Sequence, residues 1–246
     1  HTWAVTRSTP FWLLALVVWM GNFYLYQEVT QIRVAVAAGL FLVGLSYLAK
    51  GEKRTYLLFS LAAACFHYSA FVLPLLTFFG SRPLTLRGRL VIGAIPLLGY
   101  LLFFGGFDPI ASLPIPWIQE KLWIYERLRD SGMAGDAINV FNIVYVMRLL
   151  VFYLLLWKYD VIKEQAPNLS LLLKVFAISY FCFTALGALP VMAFRYAELF
   201  GVVEIVMVPY LALTMKPEAF GKSLVIVFAF GCMMLNVFYN ELLKLS

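Results

Sequence analysis

The sequence predicts an all-α fold: a polytopic helical membrane protein of about eight membrane segments. Composition is the first observation behind this. Hydrophobic residues make up 63% of the 246-residue chain and charged residues 13%, with a mean hydropathy of +0.87. Soluble domains carry roughly a quarter charged residues. The second is the apolar runs, which are apolar on every face; membrane β-barrel strands alternate apolar and polar, so a barrel is excluded. The third is the short basic loops between runs. Lys and Arg kept on the cytoplasmic side account for the net charge of +6 without a nucleic-acid partner.

Apolar runs and their breakers place helices at 10–27, 32–49, 55–80, 90–105, 138–158, 169–189, 194–214 and 222–242. The whole chain, 1–246, reads as a single transmembrane domain. Its basic loops carry Lys50, Lys53 and Arg54; Arg82, Arg87 and Arg89; Lys158 and Lys163; and Lys216 and Lys222. The loop 106–137 mixes Asp108, Glu120, Glu126, Asp130 and Asp136 with Lys121, Arg127 and Arg129, which places it outside. Within it, Ile118, Leu122, Tyr125 and Leu128 recur at helical spacing, an amphipathic helix lying on the outer interface as a lid or a belt.

One segment conflicts with simple alternation. A straight span over 55–80 puts the basic loops at 50–54 and 81–89 on opposite sides. A re-entrant pair of half-helices broken near His67 removes the conflict. Each half of roughly 12 residues is about 18 Å long, too short for a 30 Å core. Such a pair is tolerated only inside protein or along a cavity. The alternative is one tilted helix with a misplaced loop. The re-entrant topology puts the N-terminus inside and 28–32, 106–137 and 190–196 outside. Arg33, His67, Arg195 and Glu198 then converge on the outer face, where intramembrane charges mark a site.

Cys65, Cys182 and Cys232 fall in apolar runs without paired spacing and read as small buried hydrophobes. The first apolar run starts at Phe11 with no cleavage site behind it, so no signal peptide is evident. No Cys/His cluster, Gly-rich phosphate loop, nucleophile elbow or paired acidic metal motif is present, which predicts chemistry without a cofactor or a bound metal.

The stretch Gln31 to Leu42, QIRVAVAAGLFL, opens an Ala- and Leu-rich helix with Arg33 and leads to a short basic loop. An apolar segment carrying Phe66-His67-Tyr68-Ser69-Ala70 follows, and later Arg195 opens a helix ahead of Pro209. In order and spacing these elements resemble the EpsG family of exopolysaccharide-polymerising membrane proteins, relatives of Wzy-type O-antigen polymerases. Members usually carry further N-terminal helices with a Gly-Thr-Asp-Tyr-like segment, which nothing here matches. With a first residue other than Met, this predicts a chain lacking its N-terminal part.

The resemblance implies a GT-C-like glycosyltransferase in the bacterial inner membrane. It would pass a growing glycan from a polyprenyl diphosphate carrier to another lipid-linked repeat unit on the outer side. Donor and acceptor oligosaccharides, membrane lipid and other polysaccharide-assembly proteins are the implied partners. Charge develops on the leaving diphosphate, and guanidinium groups suit it because they form paired hydrogen bonds to phosphate oxygens. Arg33 and Arg195 are the candidates; snorkelling to headgroups is their bland reading. The attacking hydroxyl needs a base. Glu198, one turn after Arg195, and His67, the only internal histidine, compete for that role. Glu198 otherwise orients Arg195, and His67 otherwise pins the hairpin beside Tyr68 and Ser69. Arg148 and Glu204 lie at similar depth and read as a structural pair, with diphosphate contact by Arg148 as the sharper hypothesis. Lys174 snorkels at the cytoplasmic end.

Three rivals stay open. A lipid-linked sugar transporter or flippase also needs outward Arg residues, but alternating access favours repeated halves. A membrane acyltransferase acting on surface glycans would use an intramembrane His. A non-catalytic assembly subunit would need Arg195 for complex formation alone.

Overall fold

The computed structural model describes residues 1–29, 31–107 and 138–239, and residues 112, 114, 116, 119, 120, 123, 124 and 127 between them. The amphipathic helix expected over 117–128 and most of its loop lie outside the described residues. All regular structure among the described residues is helical. Helix α1 (Thr2–Ser8) precedes α2 (Trp12–Trp19), which continues as a π-helix over Met20–Val29. Then come α3 (Ile32–Ala49), α4 (Lys53–Phe66), a 3₁₀ segment (Tyr68–Phe78) and α5 (Leu86–Phe104). The second half holds α6 (Ile143–Trp157), the single turn α7 (Tyr159–Ile162), α8 (Leu169–Ala185) and α9 (Pro190–Gly201). It ends with α10 (Glu204–Met207), a 3₁₀ turn (Val208–Leu213) and α11 (Glu218–Met234).

Four helical stretches are long and apolar enough to cross a membrane: Ile32–Ala49, Leu86–Phe104, Pro190–Leu213 and Glu218–Phe238. Shorter apolar helices at Trp12–Tyr24, Tyr68–Phe78, Ile143–Trp157 and Leu169–Ala185 complete a polytopic helical membrane protein. Several helix starts differ from the expected ones, and local chemistry explains each. The Thr85 hydroxyl accepts from Gly88 N at 3.2 Å and starts α5 at Leu86 rather than at 90. Asn142 Oδ1 accepts from Val144 N at 3.0 Å and delays α6 to Ile143. Pro190, whose missing N–H suits a first turn, starts α9 four residues before the expected 194.

The segment 53–78 folds back on itself. His67, in extended conformation (φ −147°, ψ 125°), ends α4. Beyond it the chain returns along α4, and the buried Tyr56 hydroxyl donates to the Leu73 carbonyl at 2.5 Å. A straight helix would hold those residues about 25 Å apart. Past the hairpin, the Ser81 hydroxyl donates to the Ala49 carbonyl at the end of α3, at 2.8 Å. Both basic loops therefore sit at one end of the bundle. At that end the α3–α4 turn is closed by Gly51, whose φ of +83° favours glycine.

Further contacts gather the other basic segments there. Arg89 pairs with Asp160 at 2.7 Å, and Leu84 N donates to the Tyr159 hydroxyl at 3.0 Å. Lys174 Nζ reaches the Gly80 carbonyl at 2.6 Å, in keeping with a side chain stretched towards the basic end. The core fills the bundle from Phe41 and Leu45 of α3 to Phe176 and Phe183 of α8. Cys232 is buried and Cys182 partly so, but Cys65 is exposed on the outer flank of α4, where an apolar run faces outward instead of inward.

Candidate functional site

At the end opposite the basic loops, three segments distant in sequence meet around a cavity of about 780 Å³. The first turn of α3 brings Gln31 and Arg33, the hairpin tip brings His67 and Tyr68, and the first turns of α9 bring Phe194 and Arg195. Each cation rides on a helix start beside a break in the chain, which lets a long side chain leave the bundle.

His67 is held by its neighbour. Nδ1 lies 2.6 Å from the Ser69 hydroxyl, and Ser69 N is 3.3 Å from the same atom. With Ser69 N–H donating, Nδ1 accepts and Nε2 carries the ring proton; the tautomer that donates Nδ1–H to the hydroxyl and frees the Nε2 lone pair gives up the Ser69 N–H contact. The imidazole stacks on Tyr68 at 4.9 Å between centroids, and Arg195 Cζ lies 5.3 Å from the same Tyr68 ring. Tyr68 thus couples the hairpin tip to α9. The charges of Arg195 and Arg33 both act on the imidazole. Among the described residues no carboxylate pairs with Arg33 or Arg195. An anion entering the cavity meets two guanidinium groups not already neutralised in that way.

Behind the cavity wall lies a buried charged cluster. Arg148, 4% exposed, donates from Nε to Glu204 Oε2 at 2.7 Å and from Nη1 to Glu198 Oε1 at 3.0 Å. The Tyr145 hydroxyl donates to the same Glu198 oxygen at 2.6 Å. Gly201 gives Arg148 its room, since a Cβ there would stand 2.8 Å from Nη2 and 3.1 Å from the Ser179 hydroxyl. Tyr145 stacks on Phe183 at 3.5 Å and meets Phe194, a cavity residue, edge-on at 6.2 Å. The cluster therefore braces the helix that presents Arg195.

Of the residues expected at the site, Arg33, His67 and Arg195 come together around the cavity, while Glu198 and Arg148 meet in the cluster behind it. Arg148 also pairs with Glu204, the partner expected from their common depth. Arg195 and Glu198 share a helix face without forming an ion pair. Three residues of rise put Glu198 about 4.5 Å deeper, where Arg148 and Tyr145 engage it. Tyr68, Phe194 and Tyr145 were not singled out from sequence. Only Tyr68 had a signal, its place beside His67 at the predicted break.

The family model of the EpsG family matches residues 2–245 of the chain. No curated protein and no solved structure matches it.

Proposed function

The chain belongs to the EpsG family, whose role is that of a membrane polysaccharide polymerase, and from that premise we propose its substrates, its membrane and the residues that act. The substrates are polyprenyl-diphosphate-linked oligosaccharide repeat units, joined into exopolysaccharide or O-antigen on the outer side of the bacterial inner membrane. One observation carries this reading. Two guanidinium groups without carboxylate partners among the described residues and one imidazole share a cavity at the end away from the basic loops. By the preference of Lys and Arg for the cytoplasmic side, that end faces outward.

Arg33 and Arg195 grip the diphosphate of the donor, so that negative charge developing on its oxygens meets fixed positive charge. The acceptor hydroxyl attacks the anomeric carbon. Its oxygen forms the new glycosidic bond as the bond from that carbon to the phosphate oxygen breaks, and the electron pair leaves with the diphosphate lipid. His67 takes the hydroxyl proton at Nε2 in the tautomer whose Nδ1–H donates to the Ser69 hydroxyl, which replaces the Ser69 N–H contact to that atom. Glu198, the other candidate base, holds Arg148 and through it the α9 helix that carries Arg195. Arg148 serves the diphosphate at one remove, by positioning that helix.

Cells making Arg33→Ala, His67→Ala, Arg195→Ala or Arg195→Lys at matched membrane abundance test this. Long surface polymer is expected to fall, with single lipid-linked repeats accumulating on the outer leaflet. Arg195→Lys keeps the charge but not the paired geometry, so a loss of about tenfold or more is expected from it as well. Normal polymer length in all four variants overturns the assignment.

A further inference from the structure

A second cavity, of about 910 Å³, opens at the basic end between the α1–α2 turn, the α3–α4 turn and the connection from α7 to α8. We propose that it is a binding site for a phosphate-bearing anion, separate from the cavity at His67. Its lining holds three cations, Arg7, Lys50 and Lys163, against one carboxylate, Glu164, and of these Lys163 is already paired with Asp160 at 3.1 Å. Among the described residues neither Arg7 nor Lys50 pairs with a carboxylate. Arg7 rests 4.5 Å from the Trp3 ring and Lys50 5.9 Å from the Tyr47 ring.

The floor is polar and already ordered. The Tyr210 hydroxyl donates to Asn168 Oδ1 at 2.9 Å, and Asn168 Nδ2 donates to the Ser8 carbonyl at 3.0 Å. Cations kept on one side by membrane topology alone need border no concavity. Here they rim a space of small-molecule size above fixed polar groups, an arrangement that suits a compact, multiply charged anion. The two cavities are distinct sites. Arg33 and Lys50 border one each, and the 17 steps of helical rise from one to the other along α3 span about 26 Å.

A phosphate at this end comes from a soluble anion or from the headgroup of an anionic lipid, and one experiment separates them. The full chain carrying Arg33→Gln and Arg195→Gln, which silences the distal cavity, is placed in phosphatidylcholine nanodiscs and titrated calorimetrically with inorganic pyrophosphate. Because those arginines are absent throughout, the result does not depend on whether they act in polymerisation. Saturable binding is expected. Arg7→Gln and Lys50→Gln should each weaken it about tenfold, the loss of one charge-assisted hydrogen bond. Glu164→Gln, which removes only an exposed carboxylate, should strengthen it. In parallel, native mass spectrometry counts phosphatidylglycerol retained by the parent and by the Arg7→Gln/Lys50→Gln variant. Pyrophosphate binding with this dependence assigns a soluble anion. Retained phosphatidylglycerol that is lost in the variant, without pyrophosphate binding, assigns a headgroup. If neither ligand distinguishes the variant from its parent, there is no such site.

Discussion

Arg148 holds two carboxylates six residues apart on one helical rod, Nη1 on Glu198 and Nε on Glu204. With Glu204 fully buried, truncating the arginine strands at least that carboxylate in a medium that penalises charge heavily. Arg148→Ala is therefore expected to destabilise the protein by about 3–5 kcal/mol, the range for breaking a buried pair from one side. Arg148→Lys should recover only part of this, because one ammonium cannot reproduce two divergent N–H donors. Thermal unfolding of the purified protein, followed by tryptophan fluorescence, reads both. Equal stability of Arg148→Ala and the parent would falsify the bracing role. The Arg148–Glu204 half of this cluster was legible in the sequence, since two buried charges at one depth need each other. Glu198 was not, because helix periodicity gives the face of a residue but not how deep the surrounding bundle reaches.

Close helix crossings depend on small residues. At Gly99 on α5 an added Cβ would collide with the Thr184 hydroxyl of α8 and lie 3.2 Å from the Phe181 carbonyl. Beside this crossing the Tyr100 and Tyr180 hydroxyls join at 2.9 Å. Gly99→Ala is expected to cost about 1–3 kcal/mol in thermal unfolding, as overpacking does. Thr184→Ala on that background should restore part of it, while a full loss that no change at Thr184 relieves would place the strain elsewhere. At this scale the sequence carried the helical class and the order of the apolar segments, because long apolar runs bounded by charges allow few alternatives. It also carried the break at His67, through two basic loops that could not share a side otherwise. It misplaced the starts of α5, α6 and α9, which single side chains decide: the Thr85 cap, the Asn142 cap and Pro190. It passed over α1, whose seven residues contain Arg7 and form no apolar run.

Across the whole molecule, α3 and the rod Pro190–Leu213 each run from one cavity to the other. Arg33 and Arg195 border the distal cavity, and Lys50 and Tyr210 border the basic one. The hairpin does not make that passage, since Ser81 returns to Ala49 where α3 ends. The extra crossing that a straight 55–80 span would add is thereby removed, and the basic loops at 50–54, 81–89 and 158–163 gather at one end of the bundle. This arrangement predicts a labelling pattern. In a background with the native cysteines replaced by serine, cysteines at Glu52 and at Arg87 should react with an impermeant maleimide only in inverted vesicles. A cysteine at Gln31, beside Arg33, should react only in intact spheroplasts. Opposite sidedness for Glu52 and Arg87 would restore a straight span. It would also carry His67 away from the membrane face where Arg33 and Arg195 stand, and with it the possibility that one cavity serves the diphosphate and its attacking hydroxyl together.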